Sequence, residues 1–344
     1  MARRVITGCL LALLLSTGIA PGQEVRGIVF YNVENLFDTR DDPATRDEEF
    51  TPAGTRHWTR ERYDRKLLHL SRALVAAGGE ALPLFIGLAE VENRRVLLDL
   101  TGRTALAAGD YGVVHADSPD ARGIDVALLY RRAFFRVLSE AFLHVPLGQA
   151  GTTRDLLYCK GLLQESDTLH LFVCHFPSMI GGEQRSEWKR LAAAAVLRRA
   201  IDSIQCRDAG AAIILAGDLN GRPGTRAQRA LGVKPAETRR VAPGGLYNTA
   251  YHYRQAATGS YRYQGKWQTL DHVIVSGVLL NGTFAWQAAR RMEVFAGEFL
   301  LEEDKTRYGK RPFPTYRGPR YLGGYSDHLP VRLEFTHTLR DTVH

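Results

Sequence analysis

Nine polar residues carry the chemistry open to this sequence, and each sits at the end of an apolar run or just beyond it: Asn32, Glu34, Glu90, His175, Asp218, Asn220, Asp271, Asp327 and His328. Gly217-Asp-Leu-Asn220 closes the run Ile213–Ala216. Residues i and i+2 of an extended chain share a face, so Asp218 and Asn220 are expected to project together. Tyr31-Asn-Val-Glu34 repeats that spacing. Carboxylates and amides without thiolates form a hard-oxygen set suited to magnesium, manganese or calcium. Imidazoles add proton transfer near neutral pH. The reaction that needs both is attack of water on a phosphate ester, where a cation offsets phosphate charge and a base activates the water.

The elements that would position these groups alternate between strands and helices. Apolar runs at Val25–Tyr31, Leu84–Leu88, Tyr111–His115, Asp125–Tyr130, Phe134–Leu138, Ile213–Ala216 and Leu270–Val275 read as strands. Asp155–Leu163 and Leu169–Cys174 form a hairpin through the polar turn Gln164–Asp167. Helical spacing of Leu67, Leu68, Leu70, Leu74 and Val75 predicts a helix over Arg60–Ala77, stopped by Gly78-Gly79. Further helices are expected at Arg94–Leu100, Gln184–Ser203 and, briefly, from Thr225. No internal repeat or linker breaks the chain, so residues 23–344 read as one α/β domain, with mostly antiparallel strand connections.

Residues 1–22 stand apart. Arg3 and Arg4 precede an apolar core, Val5–Leu15, and small residues follow, the pattern of a secretory signal peptide too short to span a bilayer comfortably. Its removal takes away two arginines and no acid, so a chain of net charge +8 stays basic, which suits an anionic partner. The expectation is therefore a periplasmic or secreted monomer without stable membrane insertion. The remaining cysteines, Cys159, Cys174 and Cys206, are too few for a disulfide framework, although Cys159 and Cys174 could pair if their strands are neighbours.

Six motifs carry a resemblance. Tyr-Asn-Val-Glu at 31–34, Glu90 after a buried strand, His175 in Cys-His-Phe-Pro, Gly-Asp-Leu-Asn at 217–220, Leu-Asp-His at 270–272 and Ser-Asp-His-Leu-Pro at 326–330 resemble, in order, those of the endonuclease/exonuclease/phosphatase (DNase I-like) superfamily. The resemblance covers about residues 25–337 and implies a four-layer α/β sandwich, two mixed, mostly antiparallel β-sheets packed face to face with helices outside. It implies that Asn32 and Glu90 hold a magnesium ion (manganese or calcium being possible), with Glu34 and Asp327 near it or near a second ion. Asp218 and Asn220 would orient the attacking water and the phosphate. His328 would be the base, steered by Asp271, and His175 would contact the phosphate and leaving group. Arg154, and more weakly Arg122, would contact substrate phosphate. The substrate implied is nucleic acid or another phosphoester: the expectation is a nuclease, with a phosphatase or a phospholipase-C-like hydrolase of inositol phosphate, sphingomyelin or other phospholipid headgroups as the alternative. A non-catalytic binding protein is the remote alternative.

Plainer readings stand beside these. Glu90 and Asp218 can cap helices, and His175 and His328 can be hydrogen-bonded core histidines. His272 faces away from Asp271 and reads as structural, as do Asn35, Asp38, Glu92, Asn93 and Asp125. Residues 251–267 and 305–325 mix arginine and lysine with tyrosine and contain no acid. Such stretches clasp a phosphate backbone, or else pack as loops whose cations pair locally, and Glu302-Glu303-Asp304 offers the partner.

Overall fold

A computed structural model describes residues 23–338; the expected signal peptide, residues 1–22, lies outside the described residues. The first sheet contains β1 (Gln23–Leu36), β2 (Phe85–Val91), β3 (Tyr111–Val114) and β4 (Asp125–Arg131). Across it the order is Trp286–Ala288, Val331–Thr338, β1, β2, β4, β3, with Glu293–Val294 also pairing to Val331–Thr338. The second contains β5 (Phe135–Leu143), β6 (Leu156–Leu163), β7 (Asp167–His175) and β8 (Ala212–Asp218), followed by Asp271–Ser276, Leu246–Asn248 and Val233–Pro235. β1 pairs with β2 and β7 with β8 in parallel, as does Leu246–Asn248 with Val233–Pro235, and the remaining pairs are antiparallel. The expected pair of mixed, mostly antiparallel sheets is the observed one.

Strand alternation decides how the layers stack. In β8, Ala212, Ile214 and Ala216 join the main core, while Ile213 and Leu215 join a second cluster. Asp271–Ser276 divides the same way, with Val273 and Val275 on one side and Ile274 on the other. The second cluster is closed by Ala193, Ala194, Leu197 and Ile201 of a helix over Glu183–Gln205. The opposite face meets the first sheet: a Cβ built on Gly87 of β2 would lie 3.3 Å from Val173 of β7. β8 and Asp271–Ser276 are thus buried on both sides, which explains their nearly continuous apolar runs. The helix over Arg60–Gly78 packs against β1 and starts at Thr59, whose side chain accepts from the Arg62 amide. Leu67, Leu70 and Leu74 are buried and Val75 is partly so, whereas Leu68, one position off that stripe, faces solvent against expectation.

Two expectations are corrected by strand geometry. β1 runs on to Leu36 because a bulge lets it stay paired with β2 beyond Asn32. Cys159 and Cys174 do lie on neighbouring strands, but Cys159 faces the core between the sheets and Cys174 the helix-covered side, and both are free thiols. Opposite pleat directions exclude a bridge.

Gly87 leaves no room at the contact between sheets, since its Cβ would also lie 3.0 Å from Phe30. Gly87→Val therefore overpacks the core and is expected to lower the unfolding free energy by about 1–3 kcal/mol in urea denaturation.

Candidate active site

Five strand ends converge, and three of their polar groups form one row across the second sheet. His175 is the register partner of Asp218 on the parallel strand, and Asp271 is its partner on the antiparallel strand. Adjacent strands lie about 4.8 Å apart, so the row places the three side chains side by side. Asn32 and Glu90 reach the same hollow from neighbouring strands of the first sheet. The hollow is a cleft of about 680 Å³ lined by Asn32, Glu90, Arg122, Arg154, His175, Asp218, Asn220, Asp327 and His328, among others.

The turn out of each strand is not extended. Glu34, Asn35, Glu90 and Asn220 have φ of 51°, 56°, 66° and 46°, a left-handed conformation uncommon for residues other than glycine. Glu90 lies at the irregularity between Ala89 and Val91 of β2, and that extra residue re-aims its carboxylate. Asp218 and Asn220 do face one cavity, but by a turn rather than by strand alternation: the Asn220 amide donates to Asp218 Oδ1 at 2.8 Å. The Asn220 side chain donates to the Phe176 carbonyl at 2.9 Å. Asn32 and Glu34 separate instead. Asn32 Oδ1 accepts from the Glu34 amide at 3.1 Å, while the Glu34 carboxylate accepts from the Thr315 and Tyr316 amides at 2.7 and 3.1 Å. Glu34 therefore anchors a distant loop behind the cleft and does not line it.

The imidazoles are set by what surrounds them. His328 Nδ1 lies 2.8 Å from Asp271 Oδ2, which leaves Nε2 on the side of Asp218, 3.9 Å from its Oδ2. Burial pushes the His328 pKa down, yet Asp271, Asp327 and Asp218 outweigh it and hold it well above the ordinary value. His175 Nε2 lies 3.6 Å from Asp218 Oδ2 and 4.0 Å from Glu90 Oε1. Burial, then Arg154, Arg122 and His328, push its pKa well down, so His175 is neutral. The His328 loop is fixed from beneath. Ser326 Oγ donates to the Asn32 carbonyl at 2.7 Å and accepts from the His328 amide at 3.1 Å. Lys66, buried in the first helix, donates to Thr315 Oγ1 and the Tyr325 carbonyl at 2.5 and 2.6 Å. Sequence reasoning missed Lys66; its place among helix leucines carried no signal.

The donor set fits a hard cation. Burial and Asp271 raise the Asp218 pKa to about 7, against the pull of His328 and two amide donors. Burial likewise raises Asp327. Asp271 Oδ1 is buried without a hydrogen-bond partner. Carboxylates crowded in a water-poor hollow lack positive charge, and an oxygen-preferring divalent ion would supply it. Asn32, Glu90 and Asp327 could hold such an ion. Asp218, Asp271 and His328 bring ligand atoms within 4.8 Å of one another as well, but the last two are already bonded to each other.

Arg154 is nearly fully buried and lines the cleft, with its donors engaged: Nε and Nη2 donate to the His175 and Phe176 carbonyls at 2.8 and 2.6 Å, and Nη1 lies 3.4 Å from Asp120. It braces the strand end that carries His175. Arg122, half exposed at the rim and 3.3 Å from the same aspartate, has the freer guanidinium.

The residues read as structural take structural partners. His272 is fully buried with Nε2 2.8 Å from the Gly221 carbonyl. Asn93 caps the helix Arg94–Gly102, Glu92 accepts from the Asp38 amide, and Asp125 accepts from the Ser118 amide. In 305–325, Arg311 pairs with Glu302 at 2.9 Å, and Lys310 and Arg317 pair with Glu298 and Glu302. Arg262 of the other stretch pairs with Asp304 at 3.2 Å. What these stretches give the cleft is chiefly aromatic. Tyr261 lies tilted against His328 with ring centroids 4.7 Å apart and ring planes at 33°, and Tyr263 and Gln268 also line the cleft. The aromatic-basic composition signalled Tyr261 and Tyr263, but nothing local separated them from their neighbours.

The sequence model described as the endonuclease/exonuclease/phosphatase family matches residues 27–337. No curated protein matches. Among solved structures, the Bacteroides thetaiotaomicron mannosyl-6-phosphatase is 16% identical, with 90% of this chain and 98% of that one covered and a TM-score of 0.56. The human Nocturnin catalytic domain with bound sulfate is 16% identical, with 92% and 98% covered and a TM-score of 0.55. TDP2 of D. rerio with a single-strand DNA product is 17% identical, with 90% and 98% covered and a TM-score of 0.53. At these identities the likeness is one of fold.

In cation-free protein, His328 is expected to titrate above the usual value of about 6.5 in NMR. Asp271→Asn should lower it, since the aspartate charge favours the imidazolium. The raised value also means stability that is full below the unfolded pKa and is lost as pH climbs through the folded one. A His328 that titrates unchanged in Asp271→Asn would contradict the pairing.

Proposed function

The chain belongs to the endonuclease/exonuclease/phosphatase family, and on that premise we propose that it is an exported, magnesium-dependent phosphodiesterase that cuts nucleic acid. Phosphoester hydrolysis is the chemistry of the family. The observation that carries the finer reading is the Asp271–His328 pair at 2.8 Å, facing Asp218 and opening on a cleft rimmed by arginine.

The residues divide the work. Asp271 holds Nδ1 of His328 as a donor, so Nε2 is the nitrogen that takes the proton of the attacking water once the imidazolium has lost its own, a loss that the positive charge of a bound cation would favour. Asp218 accepts from that water and fixes its approach, while Asn220 is pinned by its own turn beside the phosphate. Neutral His175 offers a hydrogen bond to phosphate oxygen without introducing a second charge. Water oxygen bonds to phosphorus, the ester P–O bond breaks, and the leaving oxygen departs with the bonding pair. A magnesium ion on Asn32, Glu90 and Asp327 would offset the charge that gathers on the phosphoryl and leaving oxygens. Export is supported by the basic start and apolar core of residues 1–22.

One observation favours a second reading, a phosphatase or lipase-like hydrolase of small headgroups. Arg262, Lys310, Arg311 and Arg317 are paired with acids, which leaves less free positive surface for a long polyanion.

Plasmid DNA incubated with the protein and magnesium should be nicked, and EDTA should abolish the nicking. Asp218→Ala and His328→Ala should lose it, and Asp271→Asn should lower kcat about 10²–10⁴-fold, the usual worth of positioned general base catalysis. Intact plasmid, with phosphate released from sugar or inositol phosphates, would establish the second reading.

A further inference from the structure

Two exposed lips that the hydrolytic residues do not explain also line the cleft. One lip is the loop after β7, where Met179 and Ile180 are followed by Gly181 and Gly182 at positive φ, and Ile180 is 84% exposed. The other is the hairpin Tyr261–Gln268, whose Tyr263 is 54% exposed. Both line the same cavity as His328 and Asp218. Exposed apolar and aromatic side chains that line the same cleft as convergent polar groups are the usual make-up of a ligand site.

Two further groups narrow the ligand. Gln268 lines the cavity with a side-chain amide that has no hydrogen-bond partner among the described residues, and it offers both a donor and an acceptor. Arg222, exposed on the same rim, has a guanidinium without a partner among the described residues, whereas the basic loops nearby are paired with acids. An apolar lip, an aromatic face, an amide and a free cation together match a planar heteroaromatic ring with a polar edge, linked to a second phosphate. An acyl chain would leave the amide and the cation unused.

We propose that Tyr263 and Ile180 clamp a nucleobase next to the scissile phosphate, that Gln268 bonds its edge and that Arg222 takes the flanking phosphate, so the substrate enters as a single strand. The inference rests on the nuclease reading. A base held between these lips is unstacked from its neighbours, and a duplex must lose that stacking first.

The test compares magnesium-dependent cleavage of oligothymidylate with that of the same backbone carrying abasic residues. Base–aromatic stacking by this route makes KM for the base-bearing strand about 5- to 100-fold lower. Tyr263→Ala and, independently, Ile180→Ser should raise KM for oligothymidylate toward the abasic value, and Tyr263→Phe should restore it. Annealing to the complement should slow cleavage. Equal KM for the two strands in the wild-type protein, an unchanged KM in Tyr263→Ala, or a duplex cut as fast as the strand overturns the clamp while leaving the nuclease reading intact. Failure to cut any strand, alongside His328-dependent hydrolysis of bis(4-nitrophenyl) phosphate, removes the nuclease reading and the clamp with it.

Discussion

The repulsion among buried carboxylates is the constraint on which the rest of this structure depends. Glu90, Asp218, Asp271 and Asp327 meet where the ends of two sheets converge; Asp218 and Asp271 are almost wholly removed from water, and Glu90 and Asp327 are partly so. Like charges in such a place are tolerable only if something offsets them. His328 does part of this by bonding Asp271 and facing Asp218. Asn32 does another part by donating to both Glu90 and Asp218, at 3.3 and 3.2 Å. The remainder is the opening for a divalent ion and an anionic substrate.

Backbone geometry serves the same constraint. Left-handed residues at 34, 35, 90 and 220 end or interrupt strands that alternation alone would have carried past the site. Such positions cost on the order of 1–3 kcal/mol each and persist where the surroundings over-determine them. Here the surroundings are specific: Asn35 donates to Glu90 at 3.1 Å, Asn220 to Asp218, and Glu34 accepts from two amides of the 315–316 segment. Behind them, burial lowers the Lys66 pKa to about 8 and raises Glu34 to about 7, each moderated by the other. Each binds the 315–325 segment separately, and together they fix the floor on which the His328 loop rests.

Particular residues show how far local patterns reach. The helix over Arg60–Gly78 and the strand ending at Asp218 were legible because each is set by its own apolar period. The grouping of Asp218 with His328 was legible through motif strings alone, since composition could not have ruled out helix caps or core histidines. Arg154 and Arg122 exchanged standing once their partners were known, because a guanidinium spent on two carbonyls and Asp120 differs from one at the rim. Glu34 matched its motif yet bonds amides 281 and 282 residues away.

The sequence by itself determined the alternation of strands and helices, the hard-donor chemistry and the order of the motifs. Those properties follow from side-chain type and short-range period, which a chain carries before it folds. Only the tertiary structure decided which acids share a hollow, which cations are already spent, and that Tyr261 lies against His328 while Tyr263 reaches into solvent. These depend on strand register and on loops that close over hundreds of residues. A shift of one position in pairing would have turned the same side chains to the opposite face.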